Sequence, residues 1–410
     1  MLTCFKIFKF LKYIPSQVDA YKTASFATKI SFFNTGFSTA PWAVLMPYVR
    51  TRLNIDDITL ASLMLTFGIG ATISMQLTGY LARLLGVKRL IFIATVGMYL
   101  SMTLTSLSAI TLNLAFIYVF LWGVFLGCAE ISNNIHATHI EQQVRKLLLP
   151  GFHAWYNIGC IISVIIYPIL LSFRFSTGFV STLVAITGLL LLAYITKDII
   201  NTHGQKDEVG TSKTEDLKDT KLSYKVLTLQ GILLAGIICF IMDLCEGMIY
   251  DWGGVYLMEK CSCAIALSSV GYLCFQVSVA IMRVFGSSLV AKLGNFKTLS
   301  IGAFVSFLCL VTAAVSDNFY VIVISFALLG FSSANALPII ISIVARRSGG
   351  NKARAISIVG TLGYSGILAG PALLGGVASV FNLSAIFYTV AVLVVLMMFI
   401  IPHVAGKKEC

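Results

Sequence analysis

The chain has 410 residues, of which 58% are apolar and 11% are charged, and its mean hydropathy is +0.91. A soluble globular domain carries about 25% charged residues, so more than half of the usual surface charge is missing. A composition this apolar is typical of a chain that lies in a lipid bilayer. It excludes a secreted disulfide scaffold, a cytosolic enzyme and a disordered tail.

Apolar segments long enough to cross a bilayer recur along the chain, since a core of about 30 Å needs about 20 helical residues. The first half has charge-free intervals at 30–49, 58–82, 90–129, 154–173 and 175–196. The third interval is too long for one helix, and the polar stretch 106–113 predicts a turn inside it. The second half has segments at 226–257, 261–282, 298–316, 318–345 and 355–406, the last of which we divide near Phe381. The sequence therefore predicts an all-α integral membrane protein with twelve transmembrane helices.

A polar segment at 197–225 divides the predicted spans into two sets of six. It contains six Lys and six acidic residues, which is typical of a solvated linker. The first residues alternate lysine with apolar side chains and predict a helix that lies at the membrane interface. We therefore expect an interfacial segment at 1–23, six-helix bundles at 24–196 and 226–402 on either side of the linker 197–225, and a tail at 403–410.

The basic residues predict the orientation of the chain in the membrane. If the amino terminus is cytoplasmic, the outer loops hold only Arg50, Arg52, Arg174 and Lys260 out of 29 Lys and Arg. We therefore expect both termini and the linker to be cytoplasmic, in a bacterial inner membrane. The net charge of +12 then reflects topology and attraction to anionic lipid, and we expect no nucleic-acid partner.

Two similar basic turns indicate an internal repeat. The chain reads Gly79-Tyr-Leu-Ala-Arg83-Leu-Leu-Gly86-Val-Lys88-Arg89 after the second span and Gly286-Ser-Ser-Leu-Val-Ala-Lys292-Leu-Gly294 after the eighth. Equivalent turns in two sets of six spans favour two pseudo-symmetric bundles. In these features the chain resembles the major facilitator superfamily over essentially its whole length. The resemblance implies that Gly79, Arg83, Gly86 and Arg89 belong to a cytoplasmic gate, although Arg83 stands where the family usually has an acidic residue.

Further motifs resemble fucose-permease-related bacterial permeases of the YbjJ type within that superfamily. The residues that carry the likeness are Gly127-Cys-Ala-Glu130 with Asn134, Gly151-Phe-His153-Ala, Glu246-Gly-Met-Ile-Tyr-Asp251-Trp252, Asn335-Ala-Leu-Pro338 and Gly360-Thr-Leu-Gly363-Tyr364. The resemblance implies solute transport by alternating access, and it names no substrate.

Carboxyl groups inside predicted spans are the strongest functional signal. Inserting an acidic residue at the centre of a membrane helix costs about 2.5–3.5 kcal/mol, so its presence there indicates a functional or structural role. Glu130 on the fourth span and Asp243 and Glu246 on the seventh are candidates for proton coupling from a water-filled cavity. Two alternatives stay open: Glu130 can tie helices together as a neutral hydrogen-bonded group, and Asp251 can lie hydrated at an outer gate with Trp252 at the headgroups.

Polar and aromatic residues on the predicted cavity faces are candidates for substrate binding. They are Asn34, Ser38, Trp42, Asn134, Asn157, Tyr250, Asp251, Asn335 and Tyr364. For Trp42 a place in the interfacial aromatic belt is an equal alternative, and the glycines around Tyr364 also suit close helix packing. We add His153 and Arg283 to the cytoplasmic gate; a structural cap is the alternative for His153, and snorkelling to the inner surface is the alternative for Arg283. We expect His136 and His139, near a cytoplasmic helix end, to be hydrated.

These residues predict a secondary transporter of a small polar solute, with a sugar or sugar-like metabolite preferred and protons as the coupling ion. An efflux permease for amphiphilic compounds and a non-transporting membrane sensor are the alternatives. No nucleotide-binding motif, nucleophile–base pair or metal-ligand spacing occurs, so we expect no enzyme activity, cofactor or metal. Most of the ten cysteines lie inside predicted spans as apolar filler. We expect a monomer.

Overall fold

The computed structural model describes residues 17–107, 111–144, 148–202, 228–348 and 352–406. These residues form fourteen α-helices and one short 3-10 turn at 265–267. In chain order the helices are α1 (Gln17–Thr39), α2 (Trp42–Leu53), α3 (Asp57–Leu85), α4 (Val87–Leu107), α5 (Leu112–Val144), α6 (Leu149–Ser172), α7 (Thr177–Thr196), α8 (Leu229–Asp251), α9 (Gly253–Cys261), α10 (Val270–Val315), α11 (Phe319–Ser333), α12 (Ala336–Arg347), α13 (Lys352–Val380) and α14 (Leu383–Ala405).

Eleven segments of the described chain are long and apolar enough to cross a membrane. They match the predicted spans two to twelve, including the divisions at 106–113 and near Phe381. The first predicted span corresponds to α1 and α2, of 23 and 12 residues, which are separated by a break at Ala40 and Pro41. Large apolar side chains point outward from many of these helices, with Leu190 and Phe399 67% and 70% exposed, as expected for a surface that faces lipid.

The helices form two halves, α1–α7 and α8–α14, and the predicted repeat is visible in the backbone. Gly86 separates α3 from α4 with φ 81° and ψ 147°, and Gly294 kinks α10 with φ 76° and ψ 163°. Both glycines adopt a conformation that an L-residue with a Cβ atom rarely enters. The same local break at equivalent positions explains why each predicted turn contains a glycine.

Contacts between the halves run through three sets of helices. Helix α3 packs against α13, α6 against α10, and α2 against α8 and α9. Because successive spans run in opposite directions, the ends of α7 and α14 and the starts of α1 and α8 share one side of the molecule. We call this side the terminal end. The opposite side, which holds the α2–α3, α6–α7 and α13–α14 connections, is the distal end.

Several predicted boundaries fall near observed helix ends. Helix α7 ends at Thr196, one residue before the predicted linker, and α8 begins at Leu229. Residues 17–23 form the first turns of α1, and α14 continues to Ala405, past the predicted end of the second bundle at 402. The rest of the predicted interfacial segment (1–16), most of the linker (203–225) and the end of the tail (407–410) lie outside the described residues.

His136 is buried, so the expectation of a hydrated side chain is wrong for this residue. Only 1% of its surface is exposed, on α5 near the terminal end. Its Nε2 accepts the backbone N–H of Ile200 at 3.1 Å, and its Nδ1 lies 3.0 Å from Oγ1 of Thr28. His136 therefore joins α1 and α5 to the chain that follows α7. The sequence of one helix alone does not reveal these contacts. His139 is partly exposed.

Candidate functional site

A cavity of about 320 Å³ lies between the two halves. Its walls come from α1, α3, α5 and α6 in the first half and from α8, α10 and α13 in the second. A volume of this size is in the range of pockets that hold small molecules. The predicted site residues on its surface are Glu130, His153, Asn157, Glu246, Tyr250, Asp251, Arg283 and Tyr364.

The cavity also has lining residues that sequence reasoning did not select. They include Thr39, Phe67, Tyr156, Tyr272 and Gln276. Tyr272, Gln276 and Arg283 follow a helical spacing on α10, and this polar periodicity in an apolar span was the available signal. Tyr156 lies directly beside the predicted Asn157, but its residue type alone gives no sign of which helix face meets the other half.

Several predicted binding residues lie inside the first half and not on the cavity wall. The Asn34 carboxamide accepts a hydrogen bond from Tyr99 at 2.9 Å, and Ser38 donates to the Thr35 carbonyl. Both side chains are 0% exposed. This face of α1 is thus directed towards α4, where Tyr99 binds the Asn34 oxygen, while the Asn34 amide nitrogen is buried without a hydrogen-bond partner in the described chain.

Asn134 and Asn335 also lie away from the main cavity. Asn134 is half-buried on α5. Asn335 is 9% exposed, at the break between α11 and α12, and its side chain fills the space next to Gly286 on α10. Here the structure gives Asn335 a packing contact between two helices of the second half.

Glu130 and Glu246 reach the cavity from opposite halves, on α5 and α8. Neither side chain has a hydrogen bond or an ion pair with any residue in the described ranges. An ionised carboxylate has only acceptor positions and needs donors when it leaves bulk water. Donors for these two groups must therefore come from the cavity itself, as protons, water or a bound solute.

Asp243, the third predicted coupling group, is not on the cavity wall. It is half-buried one turn before Glu246 on α8, where its carboxylate lies against Gly363 of α13. Its charge interacts with those of Glu246 and Arg283. Asp243 thus extends the acidic face of α8, within electrostatic range of the one arginine that lines the cavity in the described part of the chain.

The distal side of the cavity is closed by hydrogen bonds between the halves. The Trp42 indole N–H donates to Oδ1 of Asp251 at 2.9 Å, and the Tyr250 hydroxyl donates to the Thr39 carbonyl at 3.1 Å. The helix breaks at Ala40 and Pro41, and the Ala43 N–H donates to the Ala40 carbonyl, which leaves the Thr39 carbonyl available to Tyr250. Trp42 is fully buried and Asp251 is 6% exposed, so neither the belt position of Trp42 nor a hydrated Asp251 is observed.

Aromatic rings surround this closure. The Trp42 ring centroid lies 4.3 Å from that of Phe67, 5.5 Å from that of Trp122 and 6.2 Å from that of Tyr250. Tyr250 in turn lies 5.2 Å from Tyr272, centroid to centroid. Trp252, the alternative headgroup anchor, is 0% exposed inside the second half. The closure therefore combines two hydrogen bonds with tightly packed rings from both halves.

An ion pair lies farther out on the same distal side. The Arg50 guanidinium of α2 contacts Asp57 of its own half at 2.7 Å and Glu259 of the other half at 2.9 Å. Close to it, a Cβ atom on Gly254 would lie 2.7 Å from the Ala43 carbonyl oxygen, so α9 can approach α2 this closely only with glycine. The two halves are thus in direct contact at the distal end.

The terminal side of the cavity carries His153 from α6 and Arg283 from α10. Both side chains line the cavity, both are exposed, and their charges are close enough to interact. The other predicted gate residues, Gly79, Arg83, Gly86 and Arg89, lie near the α3–α4 break and do not line the cavity. Gly86 meets the Asn201 side chain, and the Val87 N–H donates to the Thr202 carbonyl at 2.9 Å.

Comparison with known proteins agrees with this architecture. The family model of the Major Facilitator Superfamily matches residues 29–316 and 265–408. An uncharacterised MFS-type transporter of Yersinia pestis is 29% identical over 369 residues, which cover 90% of this chain and 92% of that protein.

Two solved transporters share the fold. The crystal structure of the nucleoside transporter NupG aligns with a TM-score of 0.71 at 16% identity, over 94% of this chain and 100% of that chain. A bacterial homologue of the human lysosomal transporter Spinster, solved inward-facing and unoccupied, aligns with a TM-score of 0.66 at 12% identity, over 96% of each chain. The predicted membrane-embedded, non-enzymatic chain with a two-bundle fold is confirmed, and it belongs to the major facilitator superfamily of transporters.

Proposed function

We propose that this protein is a secondary active transporter that moves a small polar solute by alternating access, coupled to protons through Glu130. The single observation that carries the proposal is the cavity between the halves, into which Glu130 and Glu246 project without donors from the described chain. A carboxyl group in such a place can exchange its proton with the solution that fills the cavity. One titrating group suffices, since one proton moved through about 100 mV supplies about 2.3 kcal/mol.

The position of the hydrogen bonds supports alternating access. Trp42 and Tyr250 join the halves at the distal end, while the exposed His153 and Arg283 lie at the terminal side of the cavity. This arrangement fits a state that is closed distally and accessible from the terminal end, like the inward-facing Spinster homologue to which the fold is similar. In the proposed orientation the terminal end, with both chain termini, faces the cytoplasm of a bacterial cell.

The motif likeness to fucose-permease-related permeases supports a sugar-like solute, and the similarity of the fold to NupG adds nucleosides to the candidates. Asn157 and Gln276 on the cavity wall supply hydrogen-bonding groups of the kind that polar rings require. Protons and this solute are the proposed partners, and the chain acts as a monomer.

The test is proton movement triggered by solute in vesicles that contain the purified protein and a pH-sensitive dye. A panel of sugars, nucleosides and amino acids is applied to wild type, Glu130→Gln and Glu141→Gln. Glu141 is the matched control because it lies on the same helix but accepts the Leu148 and Leu149 N–H groups at 2.7 and 2.9 Å. We expect Glu130→Gln to abolish proton movement and Glu141→Gln to retain it. Proton movement that survives in Glu130→Gln, or no response of wild type to any panel member, contradicts the proposal.

Efflux of amphiphilic compounds is the second candidate, and the ring content of the cavity favours it. Phe67, Tyr156, Tyr250, Tyr272 and Tyr364 all contribute to the wall. Aromatic surfaces bind the flat apolar groups of such compounds. A deletion strain that becomes sensitive to amphiphilic toxins supports this candidate, and unchanged sensitivity across such a collection removes it.

A further inference from the structure

We infer that the cavity selects solutes that carry a positive charge, such as a primary ammonium group. The inference rests on the proposed transport function and names the class of solute for the same cavity. It follows from the charges on the wall, from their lack of protein donors and from the rings that surround them.

The charge balance of the cavity is opposite to that of the whole chain. The protein has 29 Lys and Arg against 17 acidic residues. On the cavity wall, three carboxylates, those of Glu130, Glu246 and Asp251, face a single guanidinium, that of Arg283. Asp243, one turn before Glu246, also lies within electrostatic range of Arg283, so this one guanidinium faces more acidic groups than it can balance among the described residues.

The hydrogen bonding of the wall carboxylates also favours a positively charged solute. One oxygen of Asp251 accepts the Trp42 indole N–H. The second oxygen has no donor in the described structure, although the residue is only 6% exposed. Glu130 and Glu246 also lack donors from the described chain. Removing a carboxylate from water without a donor is costly, so a bound solute that brings positively charged donors gains the most from this wall. A neutral solute gains less, and an anionic solute is repelled.

The aromatic rings complete a site for a cation. Tyr250 and Tyr272 lie 5.2 Å apart, next to Glu246 and Asp251 on the same wall, and Tyr156 and Tyr364 lie within electrostatic range of Glu130. The face of an aromatic ring attracts a cation within about 6 Å of its centroid. Rings and carboxylates together are therefore suited to an ammonium group, whereas rings alone suit any flat solute.

The inference is tested without knowledge of the natural solute, by the rate at which charged reagents modify a cysteine placed in the cavity. Leu368, on the cavity wall in α13, is replaced by Cys, and the exposed Phe381 at the distal end is replaced by Cys as a control. Each variant is treated in detergent with a cationic and an anionic methanethiosulfonate reagent of similar size. Wild type supplies the background from the native cysteines.

We expect the ratio of cationic to anionic rate at Leu368→Cys to exceed the ratio at Phe381→Cys by about tenfold or more. Adding Glu246→Gln should lower this excess severalfold, whereas adding Glu141→Gln should leave it unchanged. Equal ratios at the two positions, a preference for the anionic reagent, or an excess that Glu246→Gln does not reduce overturns the inference. None of these results affects solute-driven proton movement, so the failure of this inference and the failure of the proposed function are distinguishable.

Discussion

The hydrogen bond between Trp42 and Asp251 offers a direct way to change the conformational equilibrium. It joins the two halves across the distal side, and its partners are 0% and 6% exposed. A hydrogen bond to an ionised acceptor contributes about 1.5–3 kcal/mol net. If the bond exists only in the distally closed state, Trp42→Phe shifts the equilibrium towards the distally open state by that amount, a factor of about 10 to 150.

The first half provides a matched control for this substitution. Trp122 packs against Trp42 in the same ring cluster, but its indole N–H has no hydrogen-bond partner in the described chain. Trp122→Phe therefore removes the same atoms without removing a hydrogen bond. The difference between the two variants isolates the contribution of the bond.

The assay is the distance between spin labels at the distal ends of the halves, measured by pulsed electron paramagnetic resonance. Labels are introduced through non-natural amino acids at Phe173 and Phe381, which are 69% and 73% exposed. We expect a new population with longer distances in Trp42→Phe and little change in Trp122→Phe. Asp251→Asn, which keeps a neutral acceptor, should give an intermediate population. Equal populations in Trp42→Phe and Trp122→Phe refute the reasoning.

Three further predictions concern the ion pair, the backbone and the helix cap at Asp56. Arg50→Gln should enlarge the distally open population by less than about fivefold, because a partly exposed ion pair contributes at most about 1 kcal/mol. In high salt the increase should be smaller still. A larger increase in the same distance assay contradicts this prediction. Gly294→Ala should destabilise the protein by about 1–3 kcal/mol, because φ is positive at this position. Gly376→Ala is the control, since a Cβ atom there meets nothing within 4 Å, and it should leave thermal unfolding unchanged. Hydrogen bonds from Thr59 hold the pKa of Asp56 below its ordinary value of 3.8. At neutral pH, Asp56→Ala should therefore lower the melting temperature relative to wild type. This difference should vanish as the pH falls well below 3.8, because the wild-type carboxyl group is then protonated.

Most of the fold could be predicted because the cost of charge in lipid constrains the sequence directly. Intervals between charged residues marked the spans, and the polar stretch at 106–113 marked the division between α4, which ends at Leu107, and α5, which begins at Leu112. The break after α1 was not predicted, although Pro41 is a direct signal for it. At Gly86 and Gly294 the repeated sequence pattern corresponds to a repeated backbone conformation.

The candidate site was only partly predictable, because a site between two halves depends on contacts over long sequence distances. Glu130 and Glu246 could be selected since an acid in a membrane helix is conspicuous by itself. The pairing of Trp42 with Asp251 joins residues 209 positions apart, and no local pattern reports it. Asn34 and Ser38 were assigned to the cavity because they share a polar helix face. The packing of α1 directs that face towards Tyr99 and α4 instead.

The central claim is that the halves rock about the cavity, so that its two ends open alternately. It is tested most directly by a second label pair at the terminal end, at Leu84 and Phe285, which are 59% and 64% exposed. The account predicts that Trp42→Phe lengthens the distal distance and shortens the terminal distance in the same fraction of molecules. A distal distance that lengthens while the terminal distance stays unchanged contradicts alternating access.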